Sequence, residues 1–393
     1  MRLGDKRPVR LAALGGAALL VLAAGCGTSR DVGGGGQAQK CAGADTSAAA
    51  NAKVWDDAAK AAGLEGLKPP KQDNCMVDTA QYKKDGSNNG RVTIGFASQG
   101  PTNSWALTYD EAFKARAKER GAQVNYASAN GDAATQVNNV QDLLAQKPDV
   151  LVVTPMGSAV TGQIRQAAQQ KVPVVLCTGK LPETPGVVST VGRSYDLQGT
   201  VWAEWIAKKL NGKGKIAMLS GIAGVPTAEY QYQAAKKVFE TKYPDIEIAA
   251  HEYTNWSPTE AKKVAAKLVV RHPDLDAIWS DSAISDVGVV EAYKEAGRPI
   301  PPVTGDSSNA FLRVAKDNKV EFALSAYAPE QSADCVDVAM DVVAGKSVPK
   351  IKEIAGAVFT DKELAKYYRE DCTDNLWVPS KLSDEQLKAL KLC

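Results

Sequence analysis

The sequence predicts an α/β protein of two doubly wound lobes, each built on a parallel sheet. From Arg91 onward, short β-branched runs alternate with helical stretches, and the runs are predominantly apolar. Such strands are typical of parallel sheets that helices cover on both faces. The units fall into two similar halves near Val191, and the eight evenly spaced units of a barrel do not occur. The length of 393 residues also agrees with two domains.

Each element is predicted from its own periodicity. In chain order, the predicted strands are Val92–Ala97, Val124–Ala127, Val150–Thr154, Val172–Cys177, Lys215–Leu219, Ile246–Tyr253, Ala277–Ser280 and Phe322–Ala326. The predicted helices are Ser104–Arg120, Ala133–Gln146, Ala159–Gln170, Leu197–Leu210, Thr227–Tyr243, Pro258–Arg271 and Ile284–Ala296. Capping residues support these bounds, because Ser257 precedes Pro258 with Glu260 at capping-box spacing, and Gly121 and Gly297 follow helix ends.

Residues 1–25 are predicted to be a lipoprotein signal peptide. Basic residues precede an uncharged apolar run, Leu11–Ala24, that is short for a membrane span and ends in small residues. The end of this run and the next two residues, Leu22–Cys26 (LAAGC), match a bacterial lipobox, in which Cys26 becomes the lipidated first residue. The alternative is an ordinary secretory signal that happens to carry a cysteine. Both alternatives place the protein outside the cytoplasm and exclude most nucleic-acid and central-metabolic roles.

Residues 26–90 are predicted to form a lipid tether and an N-terminal extension. The tether is rich in small residues and includes Gly33–Gly36, whereas residues 85–90 form a turn-rich boundary before the first strand. No later apolar stretch has the length of a spanning helix, so we expect the lipid to be the only membrane attachment. The formal net charge of +2 gives no indication of a nucleic-acid partner.

The cysteine count agrees with an oxidising compartment. If Cys26 carries lipid, six of the seven cysteines remain, and they allow 15 pairings that the sequence does not distinguish. We expect Cys41–Cys75 within the extension and Cys372–Cys393 within the C-terminal tail. Cys177 closes an apolar strand and is either paired or a buried free thiol. No CxxC spacing occurs and there are two histidines, so neither a metal site nor a cofactor is predicted.

The ends of the predicted strands carry the candidate site, because ligands of open parallel sheets bind beyond the carboxyl ends of the strands. The candidate ligand-binding residues there are Gln99, Asn103, Trp105, Thr178, Gln231, Trp256, Asp281, Asp306 and Tyr327. Carboxylates and amides bind hydroxyl groups, and aromatic faces pack against the C–H face of a sugar ring. This set favours a small, polar and mostly neutral ligand. As alternatives, Asp281 and Asp306 cap the helices that follow them, and Trp105 belongs to the core.

These loops, in this order, resemble the ribose-binding type of periplasmic sugar-binding protein, the solute receptors of ABC importers. The resemblance extends from Arg91 to about Lys350 and rests on the segments RVTIGFASQGPTNSW, VQDLLAQKPDVLVVTP, KVPVVL, KIAMLSGIAG, DAIWSDSA, VTGDSS and ALSAYAPEQ. It implies that Asn103, Trp105, Trp256 and Asp306 stand at ligand contacts of the family. It also implies that Asp281 replaces an Asn or Asp, and that Tyr327 replaces a glutamine near the hinge.

Two departures from the family pattern concern the ligand. The family's Asp-Arg pair after the fourth strand is Thr178-Gly179 here, and a second-lobe arginine is replaced by Gln231. Both changes remove guanidinium groups that grip sugar hydroxyls. The departures thus disfavour ribose and simple hexoses and leave a modified sugar, a nucleoside-like molecule or another polar ligand open. The tail after Lys350 exceeds the usual family length.

The resemblance also implies discontinuous lobes joined by a three-strand hinge near Arg193, Tyr327 and Pro349. The N-terminal lobe would comprise 91–193 plus 328–349, and the C-terminal lobe 194–327 plus 350–393. The ligand would be buried when the lobes close, and the closed form of the monomer would dock on the ABC permease. A ligand-sensing receptor for a signalling kinase is the alternative within the family.

Catalytic motifs are not found in the sequence, and we expect no enzyme. It contains no GxSxG, GxGxxG or Walker pattern. His251 lies in a predicted strand and His272 in a loop that ends a helix, and neither has an obvious Ser or Cys partner. The enzymatic alternative is a glycosidase that uses Asp281 and Asp306 as a carboxylate pair.

Overall fold

The computed structural model describes residues 41–43, 48–67, 74–84, 91–354 and 356–393. The predicted signal peptide (1–25), the lipidation site Cys26 and the glycine-rich part of the tether lie outside the described residues. Within the described ranges, no helix combines the length and the apolar character needed to cross a bilayer.

Between residues 93 and 343, the described strands and helices alternate with few exceptions. The strands are β1 (Cys41–Gly43), β2 (Met76–Val77), β3 (Thr93–Ser98), β4 (Gln123–Ser128), β5 (Val150–Val153), β6 (Val174–Cys177), β7 (Val187–Gly192), β8 (Gly214–Ser220), β9 (Ile246–Tyr253), β10 (Ala277–Ser280), β11 (Val303–Asp306), β12 (Phe322–Ser325), β13 (Val348–Pro349), β14 (Ile351–Glu353) and β15 (Val358–Thr360). The α-helices are α1 (Ala48–Ala61), α2 (Ser104–Glu119), α3 (Ala133–Ala145), α4 (Thr161–Gln169), α5 (Tyr195–Lys209), α6 (Pro226–Lys242), α7 (Pro258–Arg271), α8 (Ala283–Glu295), α9 (Asn309–Asn318), α10 (Ser332–Val343), α11 (Leu364–Tyr367) and α12 (Asp384–Ala389).

Two six-stranded sheets form the two lobes and confirm the predicted fold class. The first sheet has the order β14-β7-β6-β5-β3-β4, and all of its pairs are parallel. The second has the order β15-β12-β11-β10-β8-β9 and is parallel except for the edge strand β15. Strands such as β5 and β10 are buried along their whole length, which is why their sequences are continuously apolar.

Each sheet has a hydrophobic core on both faces. In the first lobe, Phe96 and Phe113 pack in the core beneath α2 and α10, whereas Leu143 and Ile164 pack in the core beneath α3 and α4. In the second lobe, α5 and α6 cover one face and α7, α8 and α9 cover the other. Helices on both faces hold the carboxyl ends of the strands at one rigid edge of each sheet.

The chain passes between the sheets three times, and the third passage differs from the expected position. The passages lie between β7 and α5, between β12 and α10, and between β14 and β15. The boundary expected near Pro349 would place 351–353 in the second lobe. Instead, Ile351 pairs with Thr190 of β7, because the open edge of β7 accepts one more parallel strand. The chain therefore crosses only after Glu353.

The N-terminal extension contacts both lobes. Trp55 and Ala58 of α1 pack against α5 and β15 of the second lobe. Further along, β2 pairs with β13, and the Asn74 side chain binds the backbone N–H and C=O of Ile351 beside the first sheet. The extension is therefore part of the folded body on both sides of the hinge.

The described residues contain three disulfides. Cys41–Cys75 and Cys372–Cys393 are the expected pairs. The free-thiol alternative for Cys177 is wrong, because Cys177 is bonded to Cys335. The physical reason is that α10 packs across β6 and brings the two Cα atoms within 5.8 Å, although the residues are 158 positions apart.

Replacing both Cys177 and Cys335 by alanine is expected to lower the free energy of unfolding more than the same change at Cys372 and Cys393. The sequence separations are 158 and 21, and a disulfide that closes a longer loop restricts the unfolded chain more, by about 2 kcal/mol for this ratio. Urea unfolding followed by circular dichroism measures both double variants. A smaller loss for the Cys177/Cys335 pair would contradict this loop-entropy account.

Candidate functional site

A single cleft lies between the carboxyl ends of the two sheets. Its lining residues are Gln99, Asn103, Trp105, Pro155, Thr178, Tyr195, Val225, Thr227, Gln231, Trp256, Asp281, Ser282, Ile284, Asp306, Tyr327 and Trp377. All nine residues predicted from the strand ends therefore lie at one cleft, and their role in ligand binding stays a prediction. The sequence reasoning missed other lining residues, of which Tyr195 and Trp377 are the largest.

Two carboxyl groups lie on neighbouring strands at the second-lobe side of the cleft. The Oδ2 atom of Asp281 accepts a hydrogen bond from the Gly221 N–H at 2.8 Å, and Oδ1 accepts one from Trp256 Nε1–H at 3.1 Å. The Oδ1 atom of Asp306 accepts one from the Ala283 N–H at 2.7 Å. The backbone and the indole thus hold both carboxyl groups in place.

Neither aspartate caps the helix that follows it, so that alternative is wrong. Ser308 caps α9 by accepting a hydrogen bond from the Phe311 N–H, which leaves Asp306 free to reach the first N–H of α8 instead. Asp281 likewise turns away from α8 and towards Gly221. Both aspartates therefore connect separate loops of the site.

The cleft lacks a cationic side chain among its described lining residues. Burial raises the pKa of Asp281 to about 7 and the pKa of Asp306 to about 8, and the N–H donors oppose this rise only in part. The charge of Arg193 in the hinge acts on Asp306, and its guanidinium carbon lies 5.0 Å from the Tyr327 ring centroid. Its charge also favours ionised Asp306 but does not cancel the effect of burial.

The Trp256 indole is positioned by an unusual backbone. Asn255 and Trp256 have φ angles of 54° and 49°, in the left-handed region that L-residues with large side chains rarely adopt. This turn lays the indole directly on Gly221, where a Cβ atom would overlap the ring. Gly221 is therefore required for the indole position, and its backbone N–H also binds Asp281.

Trp105 belongs to both the core and the cleft. Its ring is stacked between Tyr109 and Tyr327, with centroid distances of 4.9 and 5.1 Å. Its Nε1–H donates to the backbone carbonyl of Tyr327 at 2.7 Å, which ties α2 to the second passage between the lobes. The two alternatives weighed for Trp105 are thus compatible, because the ring packs inside the lobe while one part of it faces the cleft.

Two amide side chains of the site each use only part of their hydrogen-bonding capacity within the protein. Asn103 caps α2 by accepting a hydrogen bond from the Ala106 N–H at 2.9 Å, so its amide nitrogen is not used by the cap. Gln231 donates from Nε2 to Gln198 Oε1 at 2.9 Å, which leaves its carbonyl oxygen as the acceptor. Thr178 lies in the left-handed region with a φ of 53°. The site therefore offers both donors and acceptors to a polar ligand.

One histidine has a serine neighbour that the sequence did not reveal. His251 Nε2 lies 2.9 Å from Ser220 Oγ, and its ring is stacked on Tyr232 at 3.7 Å. The statement that His251 lacks a serine partner is therefore wrong. Ser220 is fully buried, however, so its hydroxyl cannot meet a substrate. This pair stabilises the β8–β9 edge of the sheet.

A cluster of potential metal ligands lies in the tail. Asp371, Cys372 and Cys393 form the one such group found among the described residues. The two sulfur atoms are bonded to each other, so they are not available as thiolate ligands.

The fold and cleft define a class of two-lobed receptors that bind a small ligand between parallel-sheet lobes. Residues 94–347 match the family model described as periplasmic binding protein domain, and the chain belongs to this family. Among curated relatives, the ribose import binding protein of Bacillus subtilis (strain 168) is 26% identical over 281 residues, with 70% of this chain and 90% of the relative covered. The xylitol-binding protein of Mycolicibacterium smegmatis is 29% identical over 197 residues, covering 50% and 56%.

Solved structures show the same architecture. The arabinose-binding component from Shewanella sp. ANA-3 has a TM-score of 0.64 at 23% identity and covers 70% of this chain and 94% of its own. A solute-binding protein from Mycobacterium smegmatis with bound glycerol has a TM-score of 0.64 at 25% identity, covering 72% and 98%. The relatives are solute-binding proteins, not enzymes, in agreement with the expectation from the sequence.

Gly221→Ala is expected to displace the Trp256 indole and to break its hydrogen bond to Asp281. The overpacking should cost about 1–3 kcal/mol of unfolding free energy and change the near-ultraviolet circular dichroism. Gly162→Ala is the matched control, since a Cβ there meets nothing within 4 Å and the position is helical. An unchanged aromatic spectrum in Gly221→Ala would contradict the proposed contact.

The free energy of unfolding of the ligand-free protein, relative to Asp306→Asn, is expected to fall as the pH rises from about 5 to about 8. In this range the folded state keeps the Asp306 proton up to a pKa of about 8, whereas the unfolded aspartate, with a pKa of 3.8, has lost it. The unfolded state then binds fewer protons, so stability decreases by up to about 1.4 kcal/mol per pH unit. Urea titrations at several pH values measure this difference, and parallel curves for the two proteins would contradict it.

Proposed function

We propose that this protein is a lipid-anchored, extracytoplasmic receptor of an ABC importer and that it binds a sugar or polyol in the cleft between its lobes. The observation that carries the proposal is the composition of this cleft. The cleft is lined by the carboxyl groups of Asp281 and Asp306, by amide side chains and by three tryptophans. Its described lining residues include no lysine or arginine. A neutral, polyhydroxylated molecule satisfies such a surface.

Ligand recognition follows from the free hydrogen-bonding capacity. A carboxylate has about four acceptor sites, and the protein donors use only some of those on Asp281 and Asp306. Ligand hydroxyl groups would occupy the others, while Trp105 and Trp256 supply apolar faces for the C–H bonds of the ligand. The relatives and structural neighbours include proteins named for, or solved with, ribose, xylitol, arabinose, myo-inositol or glycerol, all of them small neutral molecules with several hydroxyl groups.

Hinge closure would couple binding to transport. Trp105 approaches the ligand space from the first lobe, and Trp256 and the two aspartates approach it from the second. A ligand that contacts both lobes stabilises only the arrangement in which both sets of contacts exist. The three chain passages near 193, 326 and 354 would act as the hinge, and the closed form of the monomer would dock on the permease. The lipid on Cys26 would hold the receptor at the membrane.

Neither alternative function is favoured. The relatives include named import binding proteins, which favours the importer over a receptor for a signalling kinase. A glycosidase needs one carboxyl group as a proton donor beside the scissile bond and a second as nucleophile or base. Both oxygen atoms of Asp281 already accept N–H hydrogen bonds, which supports a binding role for this residue.

The proposal predicts binding without turnover. D-ribose, L-arabinose, xylitol, myo-inositol and glycerol should be tested for an increase in melting temperature, followed by calorimetry of those that bind. Asp306→Ala should weaken the affinity about 30-fold or more, because the ligand hydroxyl groups that bind this carboxyl group would lose their partner in a desolvated cleft.

The matched control is Asp317→Ala, which removes an exposed carboxyl group from α9 of the same lobe. It should leave both affinity and fold unchanged. Wild-type affinity in a folded Asp306→Ala variant would remove Asp306 from the site. Release of a product from any of these ligands would overturn the receptor proposal in favour of an enzyme.

A further inference from the structure

The C-terminal tail is firmly attached to the second lobe. Its apolar side chains, including Leu376 and Leu387, join the core beneath α8 and α9. The backbone N–H of Asn309 donates to the Leu376 carbonyl at 2.9 Å, and the Asn309 amide donates to carbonyls of the tail at 2.8–3.3 Å. The Cys372–Cys393 disulfide closes the segment. The tail must therefore move with the second lobe.

One residue of this tail belongs to the other lobe. Trp377 lies between Leu376 and Val378, which pack in the second-lobe core, but its own indole packs in the first-lobe core, which also contains Trp105. Its Nε1–H donates to Ser104 Oγ, at the start of α2, at 3.3 Å. The indole is 4% exposed and lines the ligand cleft. Trp377 therefore touches the first lobe, is carried by the second and faces the ligand space.

Beyond Trp377, polar side chains of the tail also contact the first lobe. The Ser380 hydroxyl donates to the Glu330 carboxylate, and Lys381 Nζ lies 3.3 Å from Asp334 Oδ2 at the start of α10. Both partners lie in the first-lobe segment that follows the second chain passage. Lys381 and Asp334 are partly solvent-exposed and contribute little by themselves, so the buried indole is the main contact of the crossing.

We propose that Trp377 is a ligand-affinity determinant of this receptor that acts as an aromatic latch between the lobes and as a wall of the cleft. The inference rests on the proposed function, since it assigns a further residue to the same site. Opening the lobes would withdraw the indole from the first-lobe core and break its hydrogen bond to Ser104. Part of the free energy of closure would thus come from the protein itself, so the ligand needs to supply less.

The test compares two buried tryptophans. Trp377 is 4% exposed and Trp205 is 8% exposed, but Trp205 lies on α5, packs within the core of the second lobe and does not line the cleft. Trp377→Ala should increase the radius of gyration of the ligand-free protein, measured by small-angle X-ray scattering. It should also weaken the affinity for each binding member of the sugar and polyol panel about tenfold or more. Trp205→Ala should change neither quantity, although both variants lose stability.

Trp377→Phe and Ser104→Ala keep the test decisive if Trp377→Ala does not fold. Trp377→Phe keeps most of the aromatic surface that lines the cleft but removes the N–H donor. Ser104→Ala removes only the acceptor of that hydrogen bond. Each variant should therefore give a smaller increase in the radius of gyration and a smaller loss of affinity than Trp377→Ala. Folded Trp377 variants with the wild-type radius of gyration would overturn the proposal, and so would equal effects from Trp205→Ala. If the wild-type protein binds no sugar or polyol, the proposed function fails, whereas the ligand-free scattering comparison still decides the latch.

Discussion

The placement of two carboxyl groups in a cleft without a lining cation is the constraint on which the rest of the site depends. Removing a carboxylate from water is costly, and in this cleft N–H groups of Gly221, Ala283 and Trp256 compensate for only part of that cost. These donors come from three different loops at the carboxyl ends of strands. The site therefore forms only when the second sheet has its observed strand order, with β10 between β8 and β11.

The residues around the two carboxyl groups keep the site in its observed geometry. Gly221 leaves room for an indole that is held by two successive left-handed residues, and the same glycine supplies an N–H to Asp281. Backbone strain at Asn255 and Trp256 is tolerated because the packing on Gly221 and the Asp281 hydrogen bond fix the turn. Across the cleft, Trp105 is immobilised between Tyr109 and Tyr327. The ligand would thus meet side chains whose positions are already set, which reduces the entropy lost on binding.

Much of this site could be predicted because parallel sheets place the carboxyl ends of their strands together. Trp256 comes three residues after β9, Asp281 directly follows β10 and Asp306 ends β11, and the three strands belong to one sheet. Strands β5, β6 and β10 were recognisable because both of their faces are buried. Strand β7 was missed, since Ser189 and Thr190 interrupt its apolar run, and its parallel partner β14 went unrecognised with it.

The remaining features depend on contacts that no local pattern encodes. Cys177 meets Cys335 only because the chain returns to the first lobe after building most of the second. Trp377 lies in a tail without strand–helix rhythm, and Leu376 and Val378 on either side of it give no indication that its ring packs in the opposite lobe.

The three disulfides have a mechanical consequence for a receptor that works in an oxidising environment. One crosslink braces the extension, one braces the first lobe and one braces the tail on the second lobe, and none of the three staples the two main sheets to each other. Disulfide formation can therefore stabilise each half against unfolding and proteolysis and still leave one half free to rotate relative to the other.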